Sequence, residues 1–164
     1  MRDNAWLENK MWEMLHESFA DVPVSNDLVI KFGRRAKQRL GSIRRKEMRK
    51  TSGMLVSRFA KSFGITPSGS PFSKEGGDNP SIITITGHFK NLRIPEYVVL
   101  VTIAHELVHY AHGFSSPLEQ KYQHPHRGGV VKKELEVRGF GEIQQIADKW
   151  LKENWTKYLR GVSY

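Results

Sequence analysis

Cysteine is absent from the chain. That excludes a disulfide framework, a thiolate-bound zinc site and a cysteine nucleophile, so any metal must be held by histidine and carboxylate. Long apolar runs are missing as well: the longest, around Val98–Ala104, falls far short of a bilayer span. The opening MRDNAWLENK carries acids and amides and has no apolar core, so it does not read as a signal peptide. The expectation is a soluble protein, cytoplasmic or nucleoid-associated and not secreted, with no membrane partner. Internal repeats and coiled-coil heptads are lacking too.

Acids are the remaining scarcity. Seventeen Asp and Glu stand against 26 Lys and Arg, giving a formal charge of +9 and a pI near 9.9. Such a field favours polyanions, nucleic acid before membranes or acidic proteins. The imbalance concentrates in KFGRRAKQRLGSIRRKEMRK, where ten of the twenty residues from Lys31 to Lys50 are cationic and Glu47 is the single acid. Few aromatics interrupt the run, so contact with a DNA backbone, single-stranded or junction, is expected rather than base readout. Its expected contacts are Arg34, Arg35, Lys37, Arg39, Arg44, Arg45 and Lys46. A solvated basic face is the plain alternative.

At 164 residues the chain is expected to form one domain over 1–164. Residues 4–20 place Leu7, Met11, Met14, Leu15 and Phe19 at helical spacing. Leu28–Phe32 reads as a short strand stopped by Gly33, and Leu55, Val56, Phe59 and Phe63 as a second amphipathic helix ending at Gly64. Residues 66–80 are rich in Gly, Pro and Ser and read as a surface loop. Ser81–Thr86 is the clearest strand. As an edge strand it would suit binding of a substrate backbone by strand addition, and a plain core strand is equally consistent with its sequence. Val130, Val131 and Leu135 open a short helix broken at Gly139–Gly141. A last helix carries Ile143, Ile146, Trp150, Leu151, Trp155 and Tyr158, expected to pack over the helix described next.

Among these elements lies HELVH, His105 to His109. The string alone arises by chance in roughly a few chains per hundred of such composition. Here, however, it sits inside a helix expected to start at Pro95–Glu96, to stop at Gly113, and to bury Val99, Leu100, Ile103, Leu107 and Tyr110. Burying two histidines and a glutamate unpaired would be unfavourable. Four residues apart, His105 and His109 share a helix face and can reach one metal ion. Glu106 then stands beside the open position as a general base.

A catalytic zinc usually takes a third protein ligand. His112, Glu119, His124, His126, Glu134 and Glu136 follow in sequence. His112 lies about 10 Å along the axis from His105, too far to complete one tetrahedron. The extended metzincin pattern fails as well, since His112 and Ser115 stand where it needs Gly and His. The other candidates remain open on spacing alone.

HELVH, followed after sixteen residues by His126-Arg127-Gly128-Gly129-Val130, resembles the SprT-like (Spartan-type) metallopeptidase domain. Members of that family place a third histidine in a pattern like H-G-x-x-F at the opening of the next helix. Arg127 stands where a glycine is usual, with glycines one and two places later, which keeps His124 as an alternative. LVIKFGRRAKQRLGSIRR looks like the family's first strand and basic turn, and the resemblance spans about residues 5 to 140. It implies an α+β, minimal zincin-like fold, one catalytic Zn2+ on His105, His109 and His126, and Glu106 as base. It further implies a DNA-associated endopeptidase that cleaves DNA-bound or crosslinked proteins. Many relatives add a cysteine-based zinc ribbon, which a chain without cysteine cannot form. Two rival readings are a zinc peptidase with no nucleic-acid role and a non-catalytic DNA- or partner-binding module.

Overall fold

The structure is a computed structural model, and it describes residues 1–46 and 79–161. The expected helix at Leu55–Phe63, most of the 66–80 loop, and Arg49 and Lys50 lie outside the described residues. What is described is α+β: four helices and a three-stranded mixed sheet.

Helix α1 (Asn4–Glu17) starts where the Asp3 carboxylate accepts the Trp6 N–H at 2.9 Å, an N-cap of the kind that stabilises a helix by about 1 kcal/mol. Its stripe of Leu7, Met11, Met14 and Leu15 is buried, and Phe19 continues it past the helix end. Just ahead of the helix, Arg2 is buried, and its guanidinium donates to the carbonyls of Phe89, Asn91 and Ile94 at 2.9–3.0 Å. Those carbonyls belong to the turn leading into the HELVH helix, so α1 and that helix are tied at their starts.

Three strands follow: β1 (Leu28–Phe32), β2 (Gly41–Arg45) and β3 (Ser81–Ile85). Their order is β1-β3-β2, with β1 parallel and β2 antiparallel to β3. Ile30, Ile83 and Ile43 fall in one row across the sheet, and with Leu28 and Ile85 they join the apolar core. The strand expected to offer a free edge, Ser81–Thr86, is instead the middle one, paired on both sides. Its backbone groups are spent within the sheet and cannot take up a substrate strand. Among the described residues β2 holds the edge on that side.

Helix α2 (Glu96–Ala111) carries HELVH. Pro95 precedes it and Glu96 lies in its first turn, where a carboxylate complements the helix dipole. Val98, Val99, Val101, Ile103, Ala104, Leu107, Val108 and Tyr110 are all buried, so the helix is apolar nearly all round and central to the core. It contacts β2, β3, α1, α3 (Val130–Val137) and α4 (Gly141–Leu159). A polar chain fixes its far end. The Tyr110 hydroxyl donates to Asn26 Oδ1, Asn26 Nδ2 donates to Ser81 Oγ, and Ser81 Oγ donates to the Ser115 carbonyl.

Helix α4 packs on α2 as expected, but only Ala147 is fully buried and Ile146 is 55% exposed. Its apolar stripe therefore covers the rim of the core rather than filling it. Arg138, at the end of α3, grips the Asp21 carboxylate with two nitrogens at 2.7 and 3.0 Å, donates to the Ser18 carbonyl at 2.7 Å, and lies over the Phe19 ring. This locks α3 to the turn after α1. Among the described residues, no helix is long and apolar enough to cross a membrane.

Candidate metal centre

His105 and His109 lie one turn apart on α2 with ring centroids separated by 4.8 Å. His126 enters from the opposite wall, 5.5 Å from the His105 ring and 4.8 Å from the His109 ring. One nitrogen from each of the three falls within 4.8 Å of the others, an arrangement that could hold a metal ion. Among the described residues no other group of histidines and carboxylates gathers in this way.

The position of His126 follows from the segment between the two helices. Gly113 closes α2 with φ +79°, and a Cβ there would collide with the backbone of Glu119 and Gln120. The Lys121 N–H donates to the His112 carbonyl, and Ser116 Oγ donates to the Tyr110 carbonyl. Folded back in this way, the segment delivers His126 just before a 3-10 turn at Arg127–Gly129, where Gly128 and Gly129 both take positive φ. The two glycines that depart from the H-G-x-x-F pattern thus serve the turn into α3.

The alternatives for a third ligand are placed elsewhere. His124, Glu119 and Glu136 are exposed and outside the cluster. Glu134 is committed to Arg138, whose nitrogens approach its Oε1 at 2.8 and 2.9 Å, and its other oxygen lies 3.6 Å from His112 Nε2. His112 is only 1% exposed, with its ring against Tyr122. That distance is beyond hydrogen-bond range.

Burial is the largest influence on the two helix-borne imidazoles. It pushes His105 down to about 4 and His109 down to about 3, reinforced in both by neighbouring rings of the cluster. Both are therefore neutral at physiological pH and present lone pairs, the form in which histidine binds a metal. His109 Nδ1 is buried without a hydrogen-bond partner among the described residues. An unsatisfied group of this kind costs about 1–3 kcal/mol. The donor set is thus three imidazole nitrogens, neutral where shifted, beside a buried acid, a set that could hold a metal ion.

Glu106 is that acid. It is 5% exposed, and burial lifts its carboxyl to about 7, opposed by the Arg39 charge and by the backbone N–H of Ile43. The approach of β2 to the carboxylate is close. A Cβ on Gly41 would lie 2.5 Å from Glu106 Oε1 and 2.9 Å from Thr102 Cγ2. Only a residue without a side chain lets the strand pass over the acid, a role that the sequence reading missed. Gly41→Ala is expected to displace Glu106 with the fold retained, and if the centre is catalytic to lower kcat by about 100-fold, since misplacements near 1 Å cost that much. Steady-state kinetics beside far-UV circular dichroism would check it.

The cluster opens into a cleft of about 810 Å³ between β2 and α2, closed at one end by Gln144, Asp148 and Leu151 of α4. Leu40 and Lys46 bond to the β3 side, through Thr86 N–H to the Leu40 carbonyl and Lys46 N–H to the Pro80 carbonyl. By antiparallel alternation, Gly41 and Ile43 turn their backbone groups outward along the cleft.

The seven basic residues do not form one patch. Arg39 and Arg44 line the metal cleft. Arg34 and Arg35 line a separate concavity. The Lys37 carbonyl accepts the Trp155 indole N–H at 2.8 Å while its side chain is exposed, and Arg45 and Lys46 are exposed at the end of β2.

Comparison with known proteins gives no relative: no family model matches the chain, and neither a curated protein nor a solved structure matches it.

Proposed function

We propose that the chain is a zinc-dependent endopeptidase with a minimal zincin-like fold, resembling the SprT-like domain, that acts on DNA-bound or crosslinked proteins. The observation that carries the hydrolase reading is the convergence of His105, His109 and His126 beside a buried glutamate in a cleft walled by β2, the edge strand among the described residues. A zinc ion on the three imidazoles supplies Lewis acidity and makes water acidic near neutral pH.

The chain's own groups do the rest. The Gly41 N–H and carbonyl and the Ile43 carbonyl are the outward backbone groups left for an extended substrate, which adds to β2 as a further strand, while the Ile43 N–H is taken by Glu106. Glu106 takes the proton from the attacking water and passes it to the leaving amine. Its burial suits this exchange, because desolvation raises the carboxyl's affinity for the proton that it takes up and then passes on. Ile43 N–H holds one face of that carboxylate in place.

Support for nucleic acid rests on the charge of +9 and the cationic run from Lys31. One observation favours a second reading, a zinc peptidase without a nucleic-acid role: Arg39 and Arg44 stand in the cleft, where they would attract acidic substrates. Digestion of a basic DNA-binding protein by the zinc-loaded enzyme, with and without single-stranded DNA, separates the two. Cleavage that requires DNA supports the first reading, and cleavage indifferent to DNA supports the second. Absence of cleavage with one zinc bound per chain favours a binding module.

A further inference from the structure

The basic run reads as one feature in sequence, yet the fold divides it. A concavity of about 670 Å³ is walled by Arg34, Arg35, Lys90, Asn91, Leu92 and Tyr158, and it shares no residue with the metal cleft. Its cations come from segments more than fifty positions apart, brought together by two glycines. Gly87 N–H donates to the Arg34 carbonyl at 3.0 Å, and a Cβ on Gly87 would lie 2.6 Å from the Gly33 carbonyl oxygen. This backbone contact holds the arginines and Lys90 around one hollow. Arg34 and Arg35 are exposed, and among the described residues no carboxylate lines the wall. Lys90 Nζ sits over the Phe32 ring at 5.5 Å instead of against an acid.

One further feature sets the ligand class. Tyr158 contributes a ring to the wall and is stacked on Trp155 with centroids 5.5 Å apart and planes 14° from parallel. Cations without acids select phosphate, and a braced aromatic ring beside them suits an unpaired base. A membrane surface would require a broader apolar rim than Met1 and Leu92 offer.

We propose that the hollow formed by Arg34, Arg35, Lys90 and Tyr158 binds the backbone of single-stranded nucleic acid, and that Arg39 and Arg44, which line the metal cleft, do not belong to this site. The proposal rests on the nucleic-acid part of the reading above and is independent of its peptidase part.

The test is fluorescence anisotropy of a labelled 15-nucleotide single-stranded DNA over a salt series, using wild type, R34Q/R35Q/K90Q and R39Q/R44Q. Each phosphate contact contributes a slope of about −0.7 in log affinity against log salt. The triple variant is expected to flatten the slope by about 2 units and weaken binding about tenfold or more at 0.1 M salt, while R39Q/R44Q keeps the wild-type slope. Tyr158→Leu should weaken binding with the slope unchanged. A wild-type slope in the triple variant, with binding intact, would overturn the site and leave the nucleic-acid reading standing. Loss of slope in R39Q/R44Q alone would move the contact to the cleft and also overturn it. If wild type shows no salt-dependent DNA binding, the broader reading fails and the site falls with it. Tighter, triple-variant-sensitive binding to anionic phosphatidylserine vesicles than to DNA would refute the choice of ligand.

Discussion

Glu106→Gln is expected to keep the metal and lose the reaction, with kcat falling by about 10²–10⁴-fold, the usual worth of a positioned general base. The amide is nearly isosteric with the acid, so it fits under Gly41 and leaves the three imidazoles in place. Metal content and turnover measured on the same preparation check both halves. Hydrolysis at the wild-type rate with metal bound would remove Glu106 from the mechanism. The same substitution carries an effect of opposite sign on stability. In the metal-free protein, burial holds the Glu106 carboxyl at about 7, above its ordinary 4.5. A group raised in this way contributes its full stability below pH 4.5 and loses it as pH rises through 7. At pH 8 a buried carboxylate is therefore ionised against its environment, and Gln relieves it. Chelator-treated E106Q should exceed chelator-treated wild type by about 3 kcal/mol at pH 8 and match it near pH 4, read from urea unfolding. Equal stability at pH 8 would mean that the carboxylate is better solvated than its burial indicates.

His126→Ala is expected to weaken metal binding by more than the roughly 10–100-fold typical of changes around a site, because it removes a donor outright. His124→Ala, two positions away and outside the cluster, should leave affinity unchanged. Competition titration against a chromogenic chelator distinguishes them, and His126→Ala is safe for the fold because that side chain is exposed. The reverse outcome would hand the third position to His124. Loss in neither variant would mean that the two helix histidines hold the ion without help from this segment.

The helices and two of the strands were legible because each is a local pattern. Leu7 to Leu15 and Val98 to Tyr110 repeat at helical spacing, and Leu28–Phe32 and Ser81–Ile85 are β-rich runs between turn residues. Strand β2 was hidden: Gly-Ser-Ile-Arg-Arg is half exposed, offers one large apolar residue, and reads as a basic turn. Without β2 in view, Ser81–Ile85 fits an edge and a core strand equally well, since strand order is set by pairing between distant segments that no window of sequence contains. The same limit applied around the candidate site. His105, Glu106 and His109 declare themselves through spacing on one helix. His126 and His124 are indistinguishable by spacing, and only the fold-back through Gly113 and Lys121 separates them. In sequence Gly41 is one glycine within a cationic run, and Lys90 has no link to Arg34 at all. Leu40 and Ser42 on either side of Gly41 are not strong strand formers, so no local signal marks it as a point of close backbone approach.

Sixteen residues separate His109 from His126, and nothing in a chain without cysteine can bridge them covalently. An ion gripped at both ends would act as a removable staple. In the chain-entropy account a closed loop of that length is worth about 3 kcal/mol to the folded state. The centre would then be a structural fastener as well as a reagent. Stripping the ion would slacken residues 110–125 and the start of α3 first, while α1 and the sheet, held by Arg2 and by the buried isoleucines, keep their order.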